Sequence, residues 1–250
     1  MLIETASAGK MNLFQMIRRF NFFLKSKLWR DFPRPLMYYK QAVETATRDG
    51  LCVLHAGGGR NKHNLFQGRR ITRINVDLDY DTLVQDKTAA LRTLANLEKL
   101  PVAANCVDLI LCEMVFEHVA APEKMIGEFY RCLKPNGRIF FITPNFMCYP
   151  YLVSRLMPYW FHKLYGVAVG RKAEDIFPTH YRLNTIPAIQ QYFSRAGFDK
   201  IFLKQLDTSS DYLALLPGIY LLAVLYSRLI SGVEALSFLR QFHVGCFRKP

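Results

Sequence analysis

The chain has 250 residues, of which 51% are hydrophobic, so it can bury one sizeable core and is not a largely disordered protein. Lys and Arg number 33 against 20 Asp and Glu, and the formal net charge of +13 favours an anionic partner such as nucleic acid, phospholipid or a phosphorylated substrate. Six cysteines occur without a Cys-x-x-Cys pair, from which we expect a reducing, cytoplasmic compartment.

Residues 1–48 predict a basic amphipathic helical segment that precedes a main domain at 49–250. Apolar residues recur there at helical spacing among basic ones: Leu13, Met16, Ile17, Phe20, Phe23 and Leu24. Such a helix either packs on the domain as a lid or lies on anionic lipid, and the sequence leaves both open. Pro33 and Pro35 are expected to break the pattern, and the residues before the helix lack the apolar stretch and cleavage site of a secretory signal.

From Leu51 onward, strand signals alternate with helix signals, which is typical of a parallel sheet with helices on both faces. Strands are predicted at 51–55, 71–77, 107–112, 138–143, 199–205 and 242–248. One helix is predicted to begin at Pro122, because proline suits a first helical turn. Another is predicted to be capped by Thr185 and terminated by Gly197.

Two insertions are predicted within the main domain. The first, at 145–180, is either the region that selects an acceptor or a small aromatic core over the sheet. Its aromatic residues include Tyr149, Tyr151, Tyr159, Trp160, Phe161 and Tyr165. The second, at 208–240, is apolar, but Pro217 and Gly218 interrupt it, and its uncharged part is shorter than the roughly 20 residues that a membrane span needs. We expect a pair of apolar helices here that covers the core or enters one leaflet.

A glycine-rich segment and an acidic residue point to a ligand. Gly57, Gly58 and Gly59 follow the first strand, where glycine allows close approach of a ligand and leaves amide N–H groups available to it. Asp77 ends the next strand, about 20 residues further on, where a carboxylate can accept both hydroxyls of a ribose. Together they indicate a cofactor that contains a nucleoside.

Four further motifs follow in a fixed order: Asn-Leu-Glu-Lys-Leu-Pro from Asn96, Val-Asp-Leu-Ile-Leu-Cys from Val107, Glu-His-Val from Glu117 and Leu-Lys-Pro-Asn-Gly-Arg from Leu133. Their order and spacing resemble the class I S-adenosylmethionine-dependent methyltransferases, in particular the methyltransferase type 11 group, which is similar to quinone-biosynthesis enzymes. The resemblance covers about residues 50 to 145. It implies an α/β fold with a Rossmann-like, doubly wound, seven-stranded and mainly parallel sheet that carries helical insertions, and S-adenosylmethionine as cofactor.

The resemblance also implies roles for single residues. Gly57 and Gly59 would pass beneath the methionine part of the cofactor, and Asp77 would hold the ribose. The adenine would lie between Asn96 and Leu97.

At three positions the resemblance needs comment. Met114, after the fourth strand, would line the pocket where the methyl group is transferred. The family usually has an acidic residue where His55 stands and often a third glycine where Asn61 stands. His55 still belongs to the implied cofactor site, but it cannot act as a carboxylate toward the ammonium group of the cofactor, so a weaker or water-mediated contact is expected.

Methyl transfer to a hydroxyl needs an aligned acceptor and a group that removes a proton. The candidate bases are His118, His180 and Tyr181, although each of these histidines could equally be a structural hydrogen-bonding residue. Glu117 could orient His118 or cap the following turn. The sequence gives no metal site, because His162 and His180 lack ligand partners at suitable spacing.

The function predicted is therefore transfer of a methyl group from S-adenosylmethionine, with oxygen favoured, to a small-molecule, glycan or lipid-linked acceptor. The protein is expected to be cytoplasmic, and peripheral association with the inner face of the membrane is the alternative that its apolar and basic helices leave open. An RNA methyltransferase acting on ribose or tRNA is one alternative, supported by the charge, but Glu113–Phe116 lacks the Asn/Asp-Pro-Pro-aromatic motif of enzymes that methylate base amines. A non-catalytic binding protein with a methyltransferase fold is the other, suggested by His55 and Asn61.

Overall fold

The computed structural model describes residues 13–32, 34–60, 65–66, 68–149, 178–208 and 217–250. The strands are β1 (Cys52–Ala56), β2 (Thr72–Asp77), β3 (Leu91–Leu94), β4 (Val107–Glu113), β5 (Leu133–Pro144), β6 (Asp199–Leu206) and β7 (Phe242–Arg248). They form one seven-stranded sheet in the order β3-β2-β1-β4-β5-β7-β6. The first five strands pair in parallel, and β7 lies antiparallel between β5 and β6. The predicted Rossmann-like, mainly parallel sheet is confirmed.

The helices in the described residues are α1 (Leu13–Leu28), α2 (Pro35–Ala46), α3 (Tyr80–Leu83), α4 (Pro122–Cys132), α5 (Ile186–Arg195) and α6 (Pro217–Gly232). Short 3-10 helices span Phe116–His118 and Glu234–Leu239. Thr185 caps α5 by accepting a hydrogen bond from the Ala188 amide, and Gly197 follows it with a φ of +91°. Both termini were predicted, because a hydroxyl cap and a left-handed glycine leave local signals in a sequence.

Apolar side chains cover both faces of the sheet. On one face α4 and α5 pack over a cluster of aromatic rings that includes Phe116, Phe141 and Phe193. On the other face α2 places Tyr39 and Val43 over β1, β4 and β5. Strands buried on both sides need apolar residues at successive positions, which accounts for the runs seen in the sequence.

A proline produced the main difference from the predicted elements. The helical pattern ends with α1 at Leu28, as predicted, but Pro35 also begins α2, which was not predicted. The predicted pair of apolar helices at 208–240 lies partly outside the described residues, and within them α6 begins at Pro217. Proline lacks an N–H group, but the first turn of a helix has no partner for that group anyway. β3 and α3 were not predicted, because each is only four residues long.

Some predictions fall outside the described residues. They concern Asn61 and most of the aromatic insertion, namely Tyr151, Tyr159, Trp160, Phe161 and Tyr165. Within the described ranges, no helix combines the length and apolar character needed to cross a bilayer. No group of three or more His, Cys, Asp or Glu side chains in these ranges is placed to hold a metal ion.

Candidate active site

The turn after β1, Gly57–Gly59, is called the glycine loop. Gly57 and Gly59 have φ values of +68° and +45°, which disfavour residues with a Cβ atom. A Cβ on Gly57 would collide with the Val115 side chain, and one on Gly58 would lie 2.6 Å from Cγ of His55. The turn can therefore lie flat across the ends of β1 and β4 only because its residues are glycines. This shape fits a ligand that approaches the backbone closely.

Asp77 holds the glycine loop from the end of β2. Its Oδ2 accepts a hydrogen bond from the Gly59 amide at 2.7 Å, and its Oδ1 accepts one from the Asp79 amide at 2.9 Å. A carboxylate has about four lone-pair positions, so acceptor capacity remains for ribose hydroxyls. The structure therefore places Gly57, Gly59 and Asp77 together at one edge of the sheet, as a nucleoside site requires.

Asn96 and Leu97 lie beside Asp77. The amide of Ala95 donates to the Asp77 carbonyl at 3.1 Å, which brings the segment after β3 to the same edge. Leu97 is buried against the core, whereas Asn96 is exposed and its side chain accepts from the Glu98 amide at 2.9 Å. Their assignment to the adenine stays a prediction, and their position is compatible with it.

A buried polar network supports the glycine loop from below, and the sequence analysis missed it. Arg73 binds both carboxylate oxygens of Asp86, at 2.6 and 2.8 Å. Asn75 then donates to Asp86 at 2.7 Å and to the Gly59 carbonyl at 2.8 Å. Burial alone would raise the pKa of Asp86, but hydrogen bonds from Thr88 and Arg73 hold it below its usual range. One signal was available: Arg73 and Asn75 lie two apart in a strand, so both face the same side.

His55 lies under the glycine loop rather than at its mouth. Its side chain is buried on the α2 face of the sheet, directly beneath Gly58. Its Nε2 lies 3.9 Å from Oε1 of Glu113, which ends the neighbouring strand β4. The imidazole therefore fills space beneath the glycine loop and contacts the Glu113 carboxylate. In the sequence, Glu113 had been considered only because Glu113–Phe116 lacks the Asn/Asp-Pro-Pro-aromatic motif.

A cleft of about 370 Å³ opens beside the end of β4, between α2, β5 and β7. We call it the α2 cleft, and it is lined by Phe32, Arg34, Pro35, Leu36, Met37, Glu113, Met114, Ile142, Thr208 and Phe242. Met114 lies in it with a φ of +55°, an uncommon conformation for a residue with a long side chain. The α2 cleft is mostly apolar, and Arg34 and Glu113 supply its charged groups.

The three candidate bases come together around Glu117. The amides of His180 and Tyr181 both donate to the Glu117 carbonyl, at 2.7 and 3.1 Å. Nδ1 of His118 lies 2.9 Å from the Pro178 carbonyl, so this nitrogen carries a proton, and Nε2 lies 4.0 Å from Oε1 of Glu117. His118 is one third exposed and His180 is exposed, so a base at this place could reach an external acceptor.

Glu117 itself belongs to a second buried polar network. Burial raises the pKa of its carboxyl, while hydrogen bonds and the neighbouring His118 lower it. Thr143 donates to Glu117 at 3.2 Å, and Asn184 donates to Thr143 at 2.8 Å. Nε2 of His243 lies 3.2 Å from the Asn184 carbonyl. This network fixes the segment before α5 against β5 and thereby orients His180 and Tyr181.

Comparison with known proteins agrees with this geometry. A family profile described as a methyltransferase domain matches residues 54–141. Over 98 residues the chain is 31% identical to a malonyl-acyl-carrier-protein O-methyltransferase of Pectobacterium atrosepticum, and this match covers 38% of the chain and 39% of the relative. The match thus spans less than half the length of that relative.

Solved structures share the fold over most of the chain. An S-adenosylmethionine-dependent methyltransferase from Methanosarcina mazei superposes with a TM-score of 0.56 at 14% identity, covering 83% of this chain and 96% of that one. A (4+2)-cyclase superposes with a TM-score of 0.52 at 13% identity, covering 93% and 81%. The fold is that of the class I methyltransferases. The profile match shows a methyltransferase domain at residues 54–141, and this domain implies S-adenosylmethionine as the cofactor.

Proposed function

We propose that this protein transfers the methyl group of S-adenosylmethionine to an oxygen atom of a small-molecule or lipid-linked acceptor. The observation that carries the proposal is the position of the α2 cleft at the end of β4, the strand that pairs with β1, which the glycine loop follows. A donor held at the ends of β1 and β2 would reach toward the end of β4, where the α2 cleft offers room for an acceptor. Reactions of this kind depend on alignment of donor and acceptor.

The donor end would use the residues at the edge of the sheet. Bound S-adenosylmethionine supplies an electrophilic methyl group on a sulfonium. Asp77 would accept the ribose hydroxyls, and the glycine loop would present backbone amides to the methionine part. Asn96 and Leu97 would bound the adenine, and Met114 would exclude water from the reacting atoms.

An acceptor oxygen must lose a proton if it belongs to a hydroxyl group. His118 fits this task because its contact with the Pro178 carbonyl fixes the ring through Nδ1, and its side chain is one third exposed. His180 and Tyr181 lie beside it and are the further candidates. The name of one relative, a malonyl-acyl-carrier-protein O-methyltransferase, supports oxygen as the acceptor atom. The proposal does not extend to the acceptor molecule of that relative.

Calorimetric titration with S-adenosylhomocysteine tests the donor site. We expect wild-type protein to bind, and Asp77→Ala to bind at least about 100-fold more weakly, because two hydrogen bonds to a charged group are lost. Asp81→Ala is the matched control, since this exposed carboxylate lies in α3 beyond the site. Equal affinity of wild type and Asp77→Ala would contradict the assignment of the ribose.

The membrane part of the proposal rests on a surface formed by α1 and α6. The two helices contact each other through Phe22 and Tyr220, whose ring centroids are 6.3 Å apart, and through Arg228, which donates to the Leu28 carbonyl at 2.8 Å. Large apolar side chains on both helices are exposed: Met16, Phe20, Phe23, Ile219, Leu222, Leu225 and Leu229. Lys27 and Arg228 lie exposed among them. Such a surface fits an anionic lipid bilayer at the cytoplasmic face.

Sedimentation with vesicles tests this surface. We expect pelleting with vesicles that contain phosphatidylglycerol, weakened by salt, and little with pure phosphatidylcholine. Leu222→Ser/Leu225→Ser should lower the bound fraction, by roughly tenfold in affinity, because two leucines no longer enter the apolar layer. Leu91→Ser/Leu94→Ser, which changes two equally exposed leucines on β3, is the matched control. Equal pelleting of the two double variants would sink the proposal.

A second candidate is a binding protein without methyl transfer. The specific observation behind it is His55, because the imidazole cannot act as a carboxylate toward the ammonium group of the cofactor. The (4+2)-cyclase with the same fold also illustrates that a fold does not fix a reaction. Failure of wild-type protein to bind S-adenosylhomocysteine at millimolar concentration would favour this candidate.

A further inference from the structure

Position 55 is a histidine and not a carboxylate, but a carboxylate from another strand, Glu113, lies close to it. Glu113 ends β4, and the register that pairs Ala56 with Cys112 brings Glu113 alongside Gly57. Its side chain points to the same face of the sheet as His55 and is 12% exposed. It also lines the α2 cleft next to Met114. Glu113 is thus a mostly buried carboxylate at the edge of the glycine loop.

Burial is the dominant influence on the Glu113 carboxyl. Burial raises the pKa of Glu113 to about 7, although the Lys40 charge and a hydrogen bond from Tyr39 lower it. Burial also raises the pKa of Tyr39 and Cys112 well above their usual values, so neither group competes as an anion. A buried carboxylate of this kind is stabilised by a cation that arrives within hydrogen-bonding distance.

The cofactor brings such a cation. The methionine end of S-adenosylmethionine carries an ammonium group, and the proposed donor geometry directs that end away from Asp77, across the glycine loop and toward β4. Asp77 is engaged with Gly59 and the ribose, and His55 cannot supply negative charge. Resting on the proposed function, we propose that Glu113 binds the ammonium group of S-adenosylmethionine, with His55 packed behind it and Tyr39 orienting its carboxylate.

This assignment makes cofactor affinity depend on pH through Glu113. The charged carboxylate binds the ammonium group, so affinity for S-adenosylhomocysteine should rise as the pH increases from 6 to 8. The titratable and charged groups near Glu113 are Arg34 in the α2 cleft, Tyr39 and Lys40 from α2, and His55 from β1, while Cys112 precedes it on the same strand and points to the other face. Because the His55 ring lies beside the carboxylate, the pH series is repeated in His55→Gln, where the rise should persist.

Two ligands separate this role from a structural one. S-adenosylhomocysteine has the ammonium group, whereas 5′-methylthioadenosine has the nucleoside and sulfur without the amino-acid end. In calorimetric titration, Glu113→Gln should bind S-adenosylhomocysteine about 10- to 100-fold more weakly and lose the pH dependence. Its affinity for 5′-methylthioadenosine should match that of the wild type. Glu44→Gln, which changes an exposed carboxylate of α2, is the control and should leave both affinities unchanged.

The outcomes are distinguishable. Equal weakening for both ligands would mean that Glu113 only supports the fold, and an unchanged affinity for S-adenosylhomocysteine would mean that another group binds the ammonium; either result overturns the inference. Failure of the wild type to bind either ligand would overturn the proposed function and this inference with it. Thermal melting of Glu113→Gln shows that the variant is folded in each titration.

Discussion

The glycine loop and the group of residues around Glu117 lie at the same edge of the sheet, yet they are stabilised in different ways. Under the glycine loop, a fully charged pair, Arg73 and Asp86, binds the backbone through Asn75. Around Glu117, burial raises the pKa of the Glu117 carboxyl and lowers the pKa of His243, which ends the network. The Arg73–Asp86 ion pair keeps its hydrogen bonds over a wide pH range, whereas the network around Glu117 changes as its groups take up protons. The two regions should therefore respond differently to mutation and to acid.

The largest expected effect comes from removing the Arg73–Asp86 ion pair. Arg73→Met leaves the Asp86 carboxylate buried without its arginine, and we expect the free energy of unfolding to fall by about 3–5 kcal/mol in urea denaturation. Arg48→Met is the matched control and should cost less than about 1 kcal/mol, because Arg48 is exposed and lies just after α2, away from Asp86. A loss of under 1 kcal/mol for Arg73→Met would mean that the pair does not hold the region together.

A pH effect of intermediate size tests the buried network that joins Glu117 to His243. Burial lowers the pKa of His243 to about 4, although its hydrogen bond to Asn184 raises it. Between pH 6.5 and 4, therefore, this histidine is protonated in the unfolded chain and neutral in the folded one. The free energy of unfolding should therefore fall by about 3 kcal/mol as the pH decreases from 6.5 to 4 through this group. His243→Gln removes the proton uptake and keeps an N–H donor for the Asn184 carbonyl.

The measurement is the difference in unfolding free energy between wild type and His243→Gln at several pH values. Glu113 acts in the opposite direction: its pKa rises on folding from 4.5 to about 7, so its contribution to stability is present below pH 4.5 and is lost as the pH rises toward 7. Subtraction of the variant curve removes this common contribution. A difference that does not vary with pH would show that His243 is not held neutral.

The smallest expected effect concerns strain in the α2 cleft. Met114 has a φ of +55°, a conformation that asparagine tolerates and alanine does not. We expect Met114→Asn to be more stable than Met114→Ala by roughly 0.5–1 kcal/mol in the same denaturation assay. If alanine proves the better residue, the left-handed conformation carries no cost and the cleft is not strained at this point.

The parts of the molecule that could be predicted from sequence are those with local signals. The glycine loop, Asp77 and the caps of α5 each show a residue type at a fixed place next to a strand or helix, and the resemblance supplied the remaining order. Arg73, Asn75 and Asp86 were missed because their partners are 11 to 13 residues apart and meet only after β2 and the following turn have folded.

Glu113 shows a different limit. In the sequence it marked only the absence of a Pro-Pro motif, and its nearness to His55 became visible through the pairing of β1 with β4. α2 was missed because Pro35 was taken as a helix breaker, although a proline at the first turn is equally a helix start. Chemistry that depends on which strands are neighbours cannot be derived from spacing along the chain.

The position of β7 between β5 and β6 has a consequence for how the protein is made. Among the described strands β6 pairs with β7 alone, and 35 residues lie between Leu206 and Phe242. At a synthesis rate of about 5–20 residues per second, β6 waits roughly 2–8 s for its partner strand after it has been translated. During that interval the edges of both β5 and β6 carry unpaired backbone groups, so a chaperone or a slow ribosome would have its greatest influence on yield at this stage.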